Sequence, residues 1–227
     1  PAYGHDRFRY FNRDRQRRSG ADCGNFARRS SGSCHESRAK HDADFERTGC
    51  RTVNRTMSAI PGYKQIPVKT WFLKFEGTLP DVSSFEKSIQ IWKNPDVDSY
   101  LELYKEVGSV WGWSGRLLMP REELVKILNS GHNEVWLFKV ENEVVGFFEL
   151  VRSEKETEMV YLGLRPDWLG KGLGQKLIQA AVAKSGQNGE KVWLHTCERD
   201  HESALKAYQR AGFKIEKELI SLEYYPE

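Results

Sequence analysis

Leu164-Arg-Pro-Asp-Trp-Leu-Gly-Lys-Gly-Leu-Gly-Gln175 sets three alternate glycines, Gly170, Gly172 and Gly174, between an apolar run and an amphipathic helix. Glycines lack Cβ and let a backbone come close to a ligand, while the N–H groups and dipole at a helix N-terminus favour negative charge. The junction predicts a seat for a pyrophosphate and, with it, a nucleotide-containing cofactor. Two other phosphate signatures do not match. A dinucleotide fingerprint needs glycine where Gln175 stands, and a Walker loop needs Ser or Thr after Lys171, where Gly172 stands.

Outward from the glycines, periodicity orders the rest. Downstream, Leu173, Leu177, Ile178 and Ala181 share a helix face. A strand follows over 192–197, then a helix from about His201 to Ala211 with Asp200 as its cap and Gly212 as its stop. Two short strands, 213–215 and 219–224, close the sheet. Upstream, 157–164 reads as the strand entering the turn, preceded by an apolar hairpin of 135–140 and 144–151 joined through Glu141, Asn142 and Glu143. Earlier still come a strand over 68–75, with Trp71 and Leu73 on one side, and two helices, 96–107 and 120–129. This order predicts an α/β fold: a mixed, mostly antiparallel central sheet flanked by helices.

Two segments carry a resemblance. The strand, turn and helix of Glu158 to Val182, followed by Ala204-Leu-Lys-Ala-Tyr208-Gln-Arg-Ala-Gly212-Phe213, resemble the GNAT superfamily of acyl-CoA-dependent N-acetyltransferases, whose pattern there is Ala-x-x-x-Tyr-x-x-x-Gly-Phe. The likeness covers about residues 68 to 224. It implies acetyl-CoA as cofactor, with Leu162, Gly163 and Leu164 along the pantetheine arm and Leu169, Gly170, Lys171, Gly172, Leu173, Gly174 and Gln175 around the diphosphate. It implies direct attack in a ternary complex by a primary amine of a small molecule or peptide. There are two departures: Leu169 stands where the family usually has Arg or Gln, leaving Lys171 to supply charge, and His201 stands where Asn is common.

Acetyl transfer to an amine requires a base to free the nitrogen lone pair and an acid for the departing thiolate. By its distance from the glycines, Glu158 matches a catalytic glutamate of several GNAT members; its alternative is a solvated strand-end carboxylate. Glu149, inside Gly146-Phe-Phe-Glu-Leu-Val151, is the rival base, since alternation turns it toward water or toward the cleft, and an apolar environment would raise its pKa. His195, whose ordinary pKa suits proton shuttling, and an ordered water complete the set. The resemblance makes Tyr208 the acid, against a core tyrosine as the plainer reading. A lone Cys197 as covalent acetyl carrier is disfavoured, such residues being usually packing. Trp111 and Trp113 are candidates for an aromatic acceptor wall, or core anchors.

Residues 1–56 differ in kind. They contain no Leu, Ile, Met or Trp, and twelve Arg, one Lys and seven acidic residues leave them at net +6, whereas 57–227 carries −3. Such a segment cannot offset its ordering entropy and is predicted to be disordered. A nucleic-acid-binding arm is the functional alternative, weakened by the interspersed acids; an extension upstream of a start at Met57 is another. Cys23, Cys34 and Cys50 lie in this stretch without disulfide or zinc spacing, so no metal is predicted. No apolar run reaches the roughly 18 residues of a membrane span, so the body, a GNAT-like domain over 57–227, is expected to be cytoplasmic, as monomer or homodimer. A non-catalytic acyl-CoA-binding module and an acetyltransferase tethered to nucleic acid by its tail remain the alternatives to a freestanding enzyme.

Overall fold

The computed structural model describes residues 60–186, 189 and 191–227. Everything expected of 1–56, and of a start at Met57, lies outside the described residues. In chain order the elements are β1 (Tyr63–Phe75), β2 (Ile89–Trp92), α1 (Val97–Gly108), α2 (Arg121–Leu128), β3 (Asn133–Val140), β4 (Glu143–Arg152), β5 (Glu156–Leu164), α3 (Leu173–Ser185), β6 (Lys191–Cys197), α4 (Ala204–Arg210) and β7 (Phe213–Pro226). They form one seven-stranded sheet in the order β2-β3-β4-β5-β6-β1-β7, antiparallel except for β5 against β6.

Local chemistry accounts for most boundaries. The Asp96 carboxylate accepts from the N–H groups of Asp98 and Ser99 and opens α1. Glu141 (φ 50°) and Asn142 (φ 72°) make the two-residue turn that lets β3 fold back on β4. Three expectations need correcting. Sequence reading places nothing between Phe75 and Asp96, yet Ile89–Trp92 pairs with β3, an edge strand too short to show alternation. Helix α4 starts at Ala204 rather than His201, because Asp200 is not its cap: Asp200 Oδ2 instead accepts from Thr196 Oγ1 (2.6 Å) and from Cys197 N (3.0 Å), closing the end of β6. The two short closing strands are one continuous β7, with a register shift where Phe72 and Leu73 face Lys217 and Ile215.

Each face of the sheet has its own core. Helix α3 and the preceding loop cover one, packing Leu177, Ile178 and Ala181 against Leu73, Met159 and Leu194. Helices α1 and α2 cover the other, packing Tyr100, Tyr104, Val107 and Leu124 against Val135 and Phe147.

One irregularity positions the site. Glu149 pairs with Tyr161 and Leu150 with Met159, so Val160 is an extra residue in β5, a β-bulge. The parallel pairing of β5 with β6 runs from Glu156–Lys191 to Met159–Leu194 and stops there, although β5 continues to Leu164 and β6 to Cys197. The two strands therefore diverge from the bulge onward, leaving a gap in the middle of the sheet.

The far side of β5 depends on close contact with β4. A Cβ on Gly146 would stand 2.4 Å from Gly163 O and 3.0 Å from Leu164 Cα, backbone atoms with nowhere to go. Gly146→Ala is expected to lower stability by about 1–3 kcal/mol, read as a lower urea midpoint at unchanged m.

Candidate active site at the strand gap

The upper end of the gap is lined by main chain. Arg165 donates its N–H to Val145 O (2.9 Å), and alternation along the antiparallel β4–β5 pair then turns the peptide groups of Leu164 and Leu162 toward the gap, while Gly163 pairs with Phe147. On the α1 face, Gly163 lies under Val107 and Trp113; a Cβ there would come within 2.5 Å of Val107 Cγ1. The glycine bend follows. Gly170 (φ 72°) and Gly172 (φ 73°) take the left-handed conformation that glycine adopts without strain, and Gly174 stands in the first turn of α3. A Cβ on any of the three would meet nothing within 4 Å, so the bend opens onto free space. Gly172 is the N-cap of α3 and no side chain caps it, which directs the first N–H groups of the helix, around Leu173, Gly174 and Gln175, into that space.

These residues fit the diphosphate and pantetheine arm of coenzyme A: an uncapped helix terminus, a concave bend and outward-facing peptide groups leading into the gap. Lys171 holds its ammonium over the Trp168 ring, 4.2 Å from the centroid, beside the bend. Leu169 turns inward and packs with Trp168 and Leu173 on the core, so at this position the chain uses packing where a charged contact was a possibility. Gln175 also lines a cavity of about 150 Å³ with Thr78, Gln179 and Arg210 between α3 and α4.

At the narrow end of the gap, two residues considered separately as bases meet. His195 Nδ1 lies 3.5 Å from Glu158 Oε1 on the α1 face of the sheet, with the imidazole a third exposed and the carboxylate 12% exposed. The imidazole stacks on Phe72 (5.7 Å between centroids), which stacks on Trp193. Tyr208 stands on the opposite face, from α4, edge-on to Phe213. Burial, with a smaller push from Asp200, raises its phenol well above the ordinary value of 10, so it is protonated throughout the neutral range.

Glu149 has a different setting from the one alternation suggested. It does not face water. Its side chain is completely buried in an ion pair with Arg116 Nη2 through Oε1, and Oε2 accepts from the Tyr100 hydroxyl at 2.5 Å. Tyr104 and Tyr161 complete this cluster, with the Arg116 guanidinium over the Tyr161 ring (5.3 Å) and Arg116 N donating to Tyr104 Oη (3.4 Å). Sequence reading gave Tyr100 and Tyr104 only as part of a helix face, took Arg116 only as the end of a 111–116 loop expected to shape acceptor choice, and gave Tyr161 no role. The i, i+4 spacing of Tyr100 and Tyr104 shows only a helix face, and nothing local links Arg116 to a glutamate 33 residues away.

Trp113 is wedged among Tyr104, Phe147 and Tyr161, whereas Trp111 meets the ring of His201 edge-on at 5.2 Å, bringing an acceptor-side candidate and a cofactor-side candidate together. His201 Nδ1 also lies 2.8 Å from Ser203 Oγ. Cys197 Sγ lies 3.6 Å from Tyr225 Oη; burial first, then Asp200, pushes its thiol up, keeping it protonated and a poor nucleophile at neutral pH. Among the described residues no group of three His, Cys, Asp or Glu is placed to hold a metal, and no helix is long and apolar enough to cross a membrane.

The open bend yields a discriminating expectation. In Gly174→Ala the new methyl meets no protein atom and sits in a helix, so stability should hold or rise by about 0.4–1 kcal/mol, while Kd for coenzyme A, read by calorimetry, should rise about tenfold, worth about 1.4 kcal/mol.

Comparison with known proteins agrees with this fold. The model of the acetyltransferase (GNAT) family matches residues 98–213. Mycothiol acetyltransferase from Corynebacterium efficiens is 29% identical over 83 residues, 36% of this chain and 28% of that protein; the enzyme of that name from Corynebacterium aurimucosum is 40% identical over 62 residues, 27% and 20% respectively. The matched segments thus span about a quarter of these relatives. A solved structure from Novosphingobium aromaticivorans, assigned to the GNAT family, superimposes with a TM-score of 0.54 at 16% identity, over 75% of this chain and 70% of that one. With more than half of its length inside the family model, the chain belongs to the GNAT acetyltransferase family, whose acyl donor is acetyl-CoA.

Proposed function

We propose that the protein moves an acetyl group from acetyl-CoA to a primary amine of a small molecule or peptide by direct attack in a ternary complex. The observation that carries this reading is the gap between β5 and β6, with the uncapped glycine bend at its head, Glu158 and His195 on one face and Tyr208 on the other. Acetyl-CoA, when bound, supplies the activated thioester. Leu162, Leu164 and the bend from Gly170 to Gln175 hold its arm and diphosphate.

The chain's own groups divide the proton work. Glu158 orients the imidazole through Nδ1, leaving Nε2 of His195 to take the proton from the incoming ammonium. Tyr208 Oη keeps the proton that the departing sulfur needs, and burial ensures that it is still there at neutral pH. Cys197, held as a thiol, takes no covalent part. The Corynebacterium relatives are mycothiol acetyltransferases by name, and their short matched segments leave the acceptor to this chain's own acceptor side.

The test is a panel of amines (glucosamine, tyramine, sisomicin and a short peptide with a free N-terminus) incubated with acetyl-CoA while free thiol is followed. Turnover on any member supports transfer; coenzyme A binding with no turnover on any supports a binding module instead. Glu158→Gln and His195→Asn should each lower kcat by about 10²–10⁴-fold with Kd for coenzyme A unchanged. Because the phenol's folded pKa is raised, its contribution is present below pH 10 and is lost only above it, so kcat should show no alkaline fall up to pH 10 that Tyr208→Phe removes.

A further inference from the structure

The segment Ser109–Met119, between α1 and α2, crosses the strand gap. On the β5 side, a Cβ on Gly115 would lie 2.6 Å from Tyr161 Oη, and Trp113 covers Gly163. On the other side, Ser114 Oγ donates to Tyr224 O (2.5 Å), Gly112 (φ 72°) lies flat against the Tyr225 ring, and Trp111 meets His201 just beyond β6. The crossing runs over the same face of the sheet that carries Glu158 and His195.

A charged tether joins the span to the centre of the sheet. Arg116 and Glu149 are 2% and 0% exposed, and Tyr100 on α1 fastens the same carboxylate. A buried pair is a poor device for stability alone: desolvation costs several kcal/mol per ion, and well-packed apolar residues of equal volume often serve as well or better, whereas removing one partner leaves a stranded charge. What a buried pair does supply is a single geometry, since a guanidinium and a carboxylate satisfy one another in few arrangements. Here that geometry fixes the distance between the crossing segment and β4, one strand from the gap.

We propose that the Glu149–Arg116 pair, with Tyr100, anchors Ser109–Met119 across the gap, so that Glu149 and Arg116 are positioning residues that set the acceptor's access to Glu158 and His195. The word acceptor rests on the acetyl-transfer reading above; the anchoring does not. Glu149 is thereby removed from proton transfer: it is fully enclosed and both of its oxygens are engaged.

The experiment compares wild type with Glu149→Gln, with the milder Tyr100→Phe in case the first folds poorly, and with the double variant Glu149→Gln/Arg116→Met, which strands no charge. Hydrogen exchange should accelerate at least tenfold in 112–118 of Glu149→Gln and two- to threefold in Tyr100→Phe, stay within twofold in α3, and return most of the way in the double variant. Kd for coenzyme A, by calorimetry, should stay within twofold. With any amine of the panel that wild type acetylates, Glu149→Gln should raise the amine's KM about tenfold and change kcat less than threefold. Acceleration spread evenly over the domain would make the pair a general stabiliser and overturn the anchoring. Loosening of 112–118 with the amine's KM unmoved would overturn the positioning role, as would a kcat loss of 10²-fold or more at unchanged KM, which would return Glu149 to the proton path. A wild type that acetylates no amine defeats the acetyl-transfer reading and is seen apart from these outcomes, because the exchange pattern decides the anchoring without any acceptor.

Discussion

Everything at this site follows from one extra residue. Up to Met159 and Leu194 the parallel strands share a ladder. Val160 then adds a residue to β5 that β4 does not match, and a bulge bends and twists its strand. The bent β5 keeps its bonds to β4 and gives up those to β6. Main-chain donors and acceptors that would be buried in an unbroken sheet become available along the gap, and unpaired backbone groups inside a protein carry a desolvation cost unless something bonds to them. An extended ligand with amides of its own is a natural complement, and the glycine bend at the head of the gap gives it a place for two phosphates.

In the proposed mechanism the gap also separates the proton chemistry. Because a strand presents alternate residues to opposite faces, a sheet opened along its middle exposes one reaction centre to two environments. On one side Glu158 and His195 sit beside a face that α1 and α2 cover only as far as β5. On the other, Tyr208 projects from α4 and packs, partly buried, against Phe213, and burial raises its phenol so that it stays protonated.

How much of this is legible from sequence depends on whether the signal is local. The glycine bend, the hairpin turn at Glu141–Asn142 and the Asp96 cap are written within a few consecutive residues, and their elements are found within one to three positions of where the pattern puts them. Strand β2 has four residues and too little pattern to be seen. Asp200 illustrates competition: as a cap it would bond N–H groups ahead of it, but Thr196 Oγ1 and Cys197 N behind it are nearer partners in the folded strand end. The meeting of Glu158 with His195, and of Arg116 with Glu149, joins residues 37 and 33 positions apart on different elements, and no periodicity encodes that. Glu149 is the sharpest instance, since alternation fixes which face it takes and says nothing of the arginine waiting there.

The departure at Leu169 can be weighed by the same reasoning. A single exposed ion pair contributes about 0–1 kcal/mol after side-chain entropy and screening, whereas hydrogen bonds to a charged group contribute about 1.5–3 kcal/mol each, and a helix terminus directs several N–H groups at one point without ordering any long side chain. The bend therefore outweighs the side chain, and a leucine at this position gives up the smaller share. In return Leu169, with Trp168 and Leu173, nails the bend to the core, and the Lys171 ammonium lies over the Trp168 ring beside the bend. Rigid placement of the peptide N–H groups matters more for gripping a diphosphate than one additional mobile cation, because preorganised donors bind without a further loss of freedom.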